Sequence, residues 1–133
     1  MSQQNVEIAK RGVDAFNRRD IDEFAETFTA DYEWVGAFLG VVEGGSYRGR
    51  EGLARYFSEA EETWSELNVS GEEFRDLGDR VLVLGRMEGQ GRTSGVRVDT
   101  PYTMIVEFRE GKVSRSRAYL DHAEALRAAG LAE

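Results

Sequence analysis

The chain has 133 residues, one proline, no cysteine and a net charge of −8 at neutral pH. This length predicts one domain, residues 1–133, and the acidic balance argues against nucleic-acid binding because it repels phosphate backbones. The lack of cysteine excludes disulfides, thiolate nucleophiles and cysteine-ligated metals. No stretch has the apolar length of a signal peptide or membrane span, so a cytoplasmic protein with no membrane contact is predicted.

Three segments show the apolar spacing of amphipathic helices. The first covers residues 3–17, and Asp20 followed by Glu23 is the capping pattern that opens the second. The third runs from Arg50 to Trp64 and has the strongest pattern of the three. Its apolar stripe comprises Leu53, Tyr56, Phe57, Ala60 and Trp64.

Strands dominate the remainder of the chain. A short strand is predicted at Tyr32 to Val35, and the glycine-rich stretch from Gly36 to Gly49 suggests a hairpin or lid. Four strands then follow one another, with turns at Gly78-Asp79, 89–95 and Glu110-Gly111. Their bounds are Val69 to Leu77, Arg80 to Gly89, 96–109 and Lys112 to Leu120.

Consecutive strands joined by short turns pair antiparallel, so the fold class is α+β. We expect a curved antiparallel sheet, packed on three helices, whose concave side receives the third helix and keeps a pocket at the open end. In the strand from Arg80, the run Val81 to Leu84 is wholly apolar, which predicts burial on both faces. A second copy of the chain is the candidate cover for the outer face, giving a homodimer through the sheet.

Two groups of residues are candidates for acid–base chemistry. Arg86 and Glu88 share the face of Leu82 and Leu84, and a buried carboxylate held by an arginine could move a proton. The alternative is an exposed ion pair of no catalytic role. Asp121 is the other candidate, and two interpretations stay open for it: a general acid or base, or the cap of a terminal helix.

The predicted pocket walls are amphipathic side chains that present a polar group at the end of an apolar body. His122 is the only histidine and supplies one group that titrates near neutral pH. The spacing of His, Asp and Glu gives no metal site, and no glycine-rich loop matches a phosphate cradle. The predicted wall residues are Trp34, Tyr56, Trp64, Tyr102, Arg117, Tyr119 and His122.

The order of elements and three local strings resemble the SnoaL-like branch of the nuclear transport factor 2 superfamily, over nearly the whole chain. The strings are Val13 to Asp20 (VDAFNRRD), Tyr47 to Gly52 (YRGREG) and Gly111 to Val113 (GKV). The resemblance implies a cone-shaped α+β domain, usually a homodimer packed through its sheet, with a pocket for small hydrophobic molecules. Because activities vary widely on this fold, it implies no single reaction.

Characterised relatives give different expectations for the site. The functional positions of ketosteroid isomerases correspond to Gly12, Gly36 and Met104, which cannot supply that chemistry. In limonene epoxide hydrolase, an Arg-x-Asp and a closing Asp are similar to Arg86-Met87-Glu88 and Asp121. Polyketide cyclases of the SnoaL type use a pocket Asp, a role that falls to Asp121 by analogy.

The hypothesis is therefore a cofactor-free hydrolase, isomerase or cyclase acting on a small hydrophobic substrate. In it, Asp121 is the general acid or base, Glu88 a second carboxylate, and Arg86 orients both. A non-catalytic binding module is the alternative, and an interaction protein whose pocket is filled by its own side chains is a third reading.

Overall fold

The computed structural model describes residues 2–35 and 46–130. Within them lie four helices, α1 (Ser2–Arg18), α2 (Ile21–Glu26), α3 (Gly49–Thr63) and α4 (His122–Ala128). The predicted cap of α2 is confirmed, because the Asp20 carboxylate accepts a hydrogen bond from the Glu23 amide at 3.1 Å. Most of the hairpin or lid predicted for Gly36 to Gly49 lies outside the described residues, and its last residues form a short strand (Ser46–Arg48) and the first residue of α3.

Six strands form one curved, unclosed sheet in the order β2-β1-β6-β5-β4-β3. The strands are β1 (Phe28–Val35), β2 (Ser46–Arg48), β3 (Trp64–Asp76), β4 (Arg80–Gly91), β5 (Arg97–Arg109) and β6 (Lys112–Tyr119). Strands β3 to β6 pair antiparallel, as predicted from their short turns. The sheet is nevertheless mixed, since β1 runs parallel to β6. No short turn joins these two strands, so turn length did not constrain their direction.

The turn between β5 and β6 explains how two long strands meet with so short a connection. Glu110 and Gly111 both adopt positive φ, of 54° and 81°. Two successive residues in this region are typical of the type I′ hairpin, whose twist matches that of the flanking strands. This predicted turn is confirmed.

The inner face of the sheet, which carries Val81, Val83, Tyr102 and Met104, packs against helices α1, α2 and α3. The buried side of α3 is formed by Gly52, Leu53, Tyr56, Phe57 and Ala60. The expectation that the third helix enters the hollow of the sheet is therefore confirmed.

The outer face of the sheet carries Leu82, Leu84, Ile105 and Tyr119, all less than 10% exposed. They form a second apolar cluster with Ala125 of α4 and Ala129 just beyond its end. The prediction of burial on both sides of β4 is thus confirmed, but the cover identified in the structure is the chain's own terminal helix. The apolar run in β4 consequently gives no argument for a second copy.

The free edge of β3 is held by two side chains at the C-terminal end of helix α1, one in its last turn and one just beyond it. The Asn17 amide donates to the Val69 carbonyl at 2.7 Å and accepts from the Val69 N–H at 2.9 Å. Arg19 donates to the Leu67 carbonyl at 2.8 Å. These bonds satisfy edge groups that would otherwise be open to another strand, and they fix α1 against the sheet.

Candidate functional site

A cavity of about 60 Å³, partly open to solvent, lies between the inner face of the sheet and the helices. Its lining is almost wholly apolar and contains no Asp, Glu, Lys, Arg or His among the described residues. The lining comprises Ile8, Ala9, Gly12, Val13, Phe16, Phe24, Phe28, Tyr32, Trp34, Tyr56, Val69, Tyr102, Met104, Val106, Val113 and Ser116.

Regular spacing in the sequence explains how distant residues come to line one space. In α1, Ile8, Gly12 and Phe16 are four residues apart and lie along one face of the helix. In β5, Tyr102, Met104 and Val106 alternate with residues of the outer face. The cavity is therefore the place where a helical stripe and the inner half of a strand meet.

Two tyrosine hydroxyls form a buried pair in the cavity wall. Burial raises both pKa values above the ordinary tyrosine value. The hydrogen bond between Tyr102 and Tyr56 adds to the rise of the Tyr102 pKa and opposes that of the Tyr56 pKa, as expected when Tyr102 donates. Both hydroxyls are consequently neutral at physiological pH and can act as hydrogen-bond partners, not as bases.

Tyr32 and Trp34 add further polar atoms from β1. Burial raises the Tyr32 pKa far above its ordinary value, while a hydrogen bond with Ser116 opposes the rise. The Trp34 indole nitrogen is close enough to the Tyr56 hydroxyl to influence its pKa, but the two do not meet the geometry of a hydrogen bond. Its N–H is thus buried without a partner among the described residues.

Arg19 is not part of the lining, but its charge acts on Tyr56 in the cavity wall. Its guanidinium lies 4.7 Å from the centre of the Phe16 ring and donates to the Phe16 and Leu67 carbonyls. Burial lowers the Arg19 pKa, and the positive charge lowers the Tyr56 pKa. Because these hydrogen bonds go to backbone carbonyls, the influence of Arg19 on the cavity is electrostatic.

A second, more open cavity of about 320 Å³ lies beside the first, between α2, β1 and the start of α3. Phe28 and Tyr32 line both spaces, and their stacked rings, 3.8 Å apart and nearly parallel, form the common wall. The second space also has charged lining residues, including the ion-paired Arg50 and Asp22.

The comparisons with known proteins agree with this geometry. The profile of the SnoaL-like domain matches residues 9–116, which is most of the chain. This chain belongs to the SnoaL-like domain family. No curated protein matches it.

Solved structures show the same fold as this SnoaL-like domain. A protein of unknown function from Burkholderia pseudomallei K96243, described as NTF2-like, is 21% identical with a TM-score of 0.80, over 93% of this chain and 95% of that chain. An NTF2-like protein from Burkholderia xenovorans LB400 is 28% identical, with a TM-score of 0.75 and coverage of 96% and 97%. A proposed SnoaL-like polyketide cyclase from Jannaschia sp. CCS1 is 25% identical, with a TM-score of 0.77 and coverage of 99% and 94%.

Three of the predicted wall residues, Trp34, Tyr56 and Tyr102, line the cavity of this SnoaL-like domain. Trp64 is partly buried and packs on the same core without entering the lining. The other predicted walls belong to the far side of the sheet. There Tyr119 lies in the cluster with α4, Arg117 lies over its ring at 5.2 Å, and His122 Nε2 is 3.4 Å from the Gly85 carbonyl.

Arg86 and Glu88 also project from the outer face, because they alternate with the inner residue Met87. Arg86 pairs with Asp99 on the neighbouring strand, Nε to Oδ1 at 2.8 Å, and Glu88 is exposed. The expected Arg86–Glu88 pair is therefore replaced by a cross-strand pair. Residues two apart on one strand are separated by nearly 7 Å of backbone, whereas a diagonal neighbour is within reach of an arginine.

Asp121 is the N-cap of α4. Its carboxylate accepts hydrogen bonds from the Ala123 amide at 2.8 Å and the Glu124 amide at 3.4 Å, and the residue is exposed. The capping interpretation is thus supported by the geometry. Because Arg86, Glu88 and Asp121 are all absent from the cavity lining, the structure does not assemble the predicted catalytic group there.

Several cavity residues escaped prediction from sequence. Tyr32 was recognised only as the start of a strand, although its alternation with Trp34 places both on one face. Gly12 carries no side chain and gave no signal as a wall residue. Ser116, a small polar residue within β6, likewise had no pattern that distinguished it.

Within residues 2–35 and 46–130, no three His, Asp or Glu side chains are grouped as metal ligands. None of the helices in that part of the chain combines the length and apolar character that a membrane span needs.

Proposed function

We propose that this SnoaL-like domain binds a small, largely apolar molecule, or the apolar end of one, in the inner cavity. The observation that carries the proposal is a cavity with neutral, mainly aliphatic and aromatic walls inside the core. Family membership supports small-molecule binding in general terms. An engineered apolar cavity of about 150 Å³ holds benzene, so a ring entering this smaller space must extend toward its opening or displace side chains.

The neutral wall determines which ligands fit. Moving a charged group into such a site without a partner costs several kcal/mol or more, so charged ends of a ligand should stay at the opening. The buried hydroxyls of Tyr32, Tyr56 and Tyr102 are available to exchange their present hydrogen bonds for one to a ligand oxygen. We therefore predict that the cavity prefers apolar, uncharged ligands.

The experiment is a calorimetric titration of the protein with benzene and, separately, with benzoate. Benzene should bind and raise the unfolding temperature, since a ligand specific to the native state stabilises it. Benzoate should bind at least tenfold more weakly. Absence of benzene binding, or equal binding of the two compounds, would contradict the proposal.

A pair of variants ties this binding to the cavity. Val13→Phe places a ring at the cavity wall and should reduce benzene affinity at least fivefold, because Val13 is a lining residue. Ser58→Phe places the same ring on an exposed position of α3 and should leave affinity unchanged. If both variants bind benzene equally well, the benzene site does not lie in the inner cavity.

Turnover by a cofactor-free hydrolase, isomerase or cyclase is the second candidate function. It is supported by the family and by the likeness to a proposed polyketide cyclase. Catalysis by Arg86, Glu88 and Asp121 stays a prediction, and their positions would require substrate to reach the outer face. For any reaction detected, loss of turnover in folded Asp121→Asn would support that role, whereas unchanged turnover would contradict it.

A homodimer through the sheet also stays a prediction. The outer face beyond α4 carries charged pairs such as Arg86–Asp99 and Arg115–Glu107. A dimer formed there should therefore weaken as salt increases. Sedimentation at two salt concentrations tests this, and a salt-independent dimer would point to an apolar interface.

A further inference from the structure

Gly12 lies in the middle of helix α1 and on the wall of the inner cavity. It is buried, and its φ is not in the left-handed region that favours glycine. Alanine is the better residue in a helix interior, because glycine gains more freedom when the chain unfolds. The backbone conformation therefore does not explain glycine at this position.

Steric crowding does not explain it either. A Cβ built on Gly12 would have one heavy atom within 4 Å outside the helix backbone, Phe24 Cε1 at 3.8 Å, which is an ordinary contact. By contrast, a Cβ at Gly52 in α3 would come within 2.8 Å of the Tyr47 backbone, so that glycine is required by packing. Space for a side chain exists at Gly12 and is left open.

The neighbours of Gly12 give this space its shape. Ile8 and Phe16 stand one turn before and after it on the same helix face, and both line the cavity. Phe24 of α2 faces the gap. Gly12 thus forms a notch, between two large side chains, that deepens a cavity of only about 60 Å³.

We infer that Gly12 is a specificity-determining residue: the notch admits the apolar part of the ligand against α1, and its depth sets the largest group that fits. The inference rests on the proposed function, because it assumes that the inner cavity is the ligand site. A side chain at this position would extend toward Phe24, so that even a methyl group would narrow the notch.

The test compares benzene binding by the wild type, Gly12→Ala, Gly12→Leu and a control, Ala54→Leu. Ala54 is exposed on α3, so leucine there adds bulk outside the cavity. Gly12→Ala should raise the unfolding temperature by a few degrees through helix propensity while lowering benzene affinity at least fivefold. Gly12→Leu should abolish detectable binding, and Ala54→Leu should bind like the wild type.

The outcomes distinguish an error in the inference about Gly12 from an error in the proposed ligand site. If the wild type binds benzene and Gly12→Leu binds it equally well, the inference is wrong and the proposed function stands. If the wild type does not bind benzene, both fail. If Gly12→Leu does not fold, Gly12→Ala decides, and wild-type affinity in that variant overturns the inference.

Discussion

Val81 and Leu82 are neighbours in β4 and are both fully buried, yet they face opposite sides of the sheet. Val81 belongs to the inner face, which packs against three helices. Leu82 belongs to the outer face, beneath α4. The inner side combines apolar walls with neutral hydroxyls, whereas the outer side combines a small apolar cluster with exposed ion pairs.

This difference shows that a conspicuous set of charged residues need not mark the ligand site. Arg86, Glu88 and Asp121 attract attention in the sequence because their types are those that catalyse proton transfer. In the structure they form an ion pair, an exposed carboxylate and a helix cap. The cavity is instead built from residues with no distinctive chemistry, whose importance comes from position.

The largest expected effect concerns the buried tyrosines on the inner side of the fold. Burial raises the pKa of Tyr32, Tyr56 and Tyr102, and burial together with Glu59 raises the pKa of Tyr47 to about 12. For a group whose pKa is higher in the folded state, the stabilisation is complete below the unfolded pKa, near 10, and is lost as pH rises toward the folded pKa.

We therefore expect stability to fall above about pH 10 and these tyrosines to ionise together with unfolding. Absorbance of tyrosinate and circular dichroism, followed in one alkaline titration, should change in step. Ionisation of all tyrosines near pH 10 with the fold intact would show that the inner hydroxyls are accessible to water.

The second-largest effect, a change in the free energy of unfolding, tests whether α4 covers the outer face of the sheet. Leu82→Ala should lower the free energy of unfolding by about 3 kcal/mol, as for other buried leucines. The exposed Glu88→Ala, on the same face of the same strand, should change it by less than about 0.5 kcal/mol. Urea denaturation measures both. A loss below about 1 kcal/mol for Leu82→Ala would mean that α4 does not seal this face in the monomer.

The third effect concerns the attachment of α1, which carries one wall of the cavity. Asn17→Ala removes both hydrogen bonds to Val69 and should cost about 2 kcal/mol. Its control, Asn5→Ala, removes one exposed bond to the Gly78 carbonyl and should cost under about 1 kcal/mol. Hydrogen exchange at the Val69 amide should accelerate in Asn17→Ala. If the two variants lose the same free energy of unfolding, the contact between Asn17 and the edge of β3 adds no stability beyond that of an exposed hydrogen bond.

The smallest effect separates capping from charge at Asp121. Asp121→Ala should destabilise the protein by about 1 kcal/mol through the lost cap, whereas Asp121→Asn, which also caps well, should be within a few tenths. Thermal or urea unfolding gives both values. If asparagine were as harmful as alanine, the carboxylate charge would have a role beyond capping.

The sequence predicted most of the fold because local patterns determine it. The stripe on α3, the Asp20 cap and the Glu110-Gly111 turn each depend on neighbouring residues, and all three are confirmed, except that Trp64, predicted as the end of the stripe, begins β3. The pairing of β1 with β6 joins distant segments and was not foreseen in its parallel direction.

The candidate site was harder to predict for a reason visible in β4. Arg86 and Glu88 were correctly grouped with Leu82 and Leu84, but both faces of this strand are apolar and buried. Without a polar side to orient the strand, the pattern could not tell which face lies inside. Gly12 stood out only as a residue that cannot supply ketosteroid isomerase chemistry, and no pattern marked it as a cavity wall, since its contribution is the absence of a side chain.

The role of the inner cavity is tested most directly by a crystal structure of the protein under xenon pressure, because xenon enters small apolar cavities without needing hydrogen bonds. Xenon density should lie between Gly12, Phe24 and Met104, with none beneath α4 on the outer face. Density beneath α4, with the inner cavity empty, would contradict the assignment of the ligand site to the inner face.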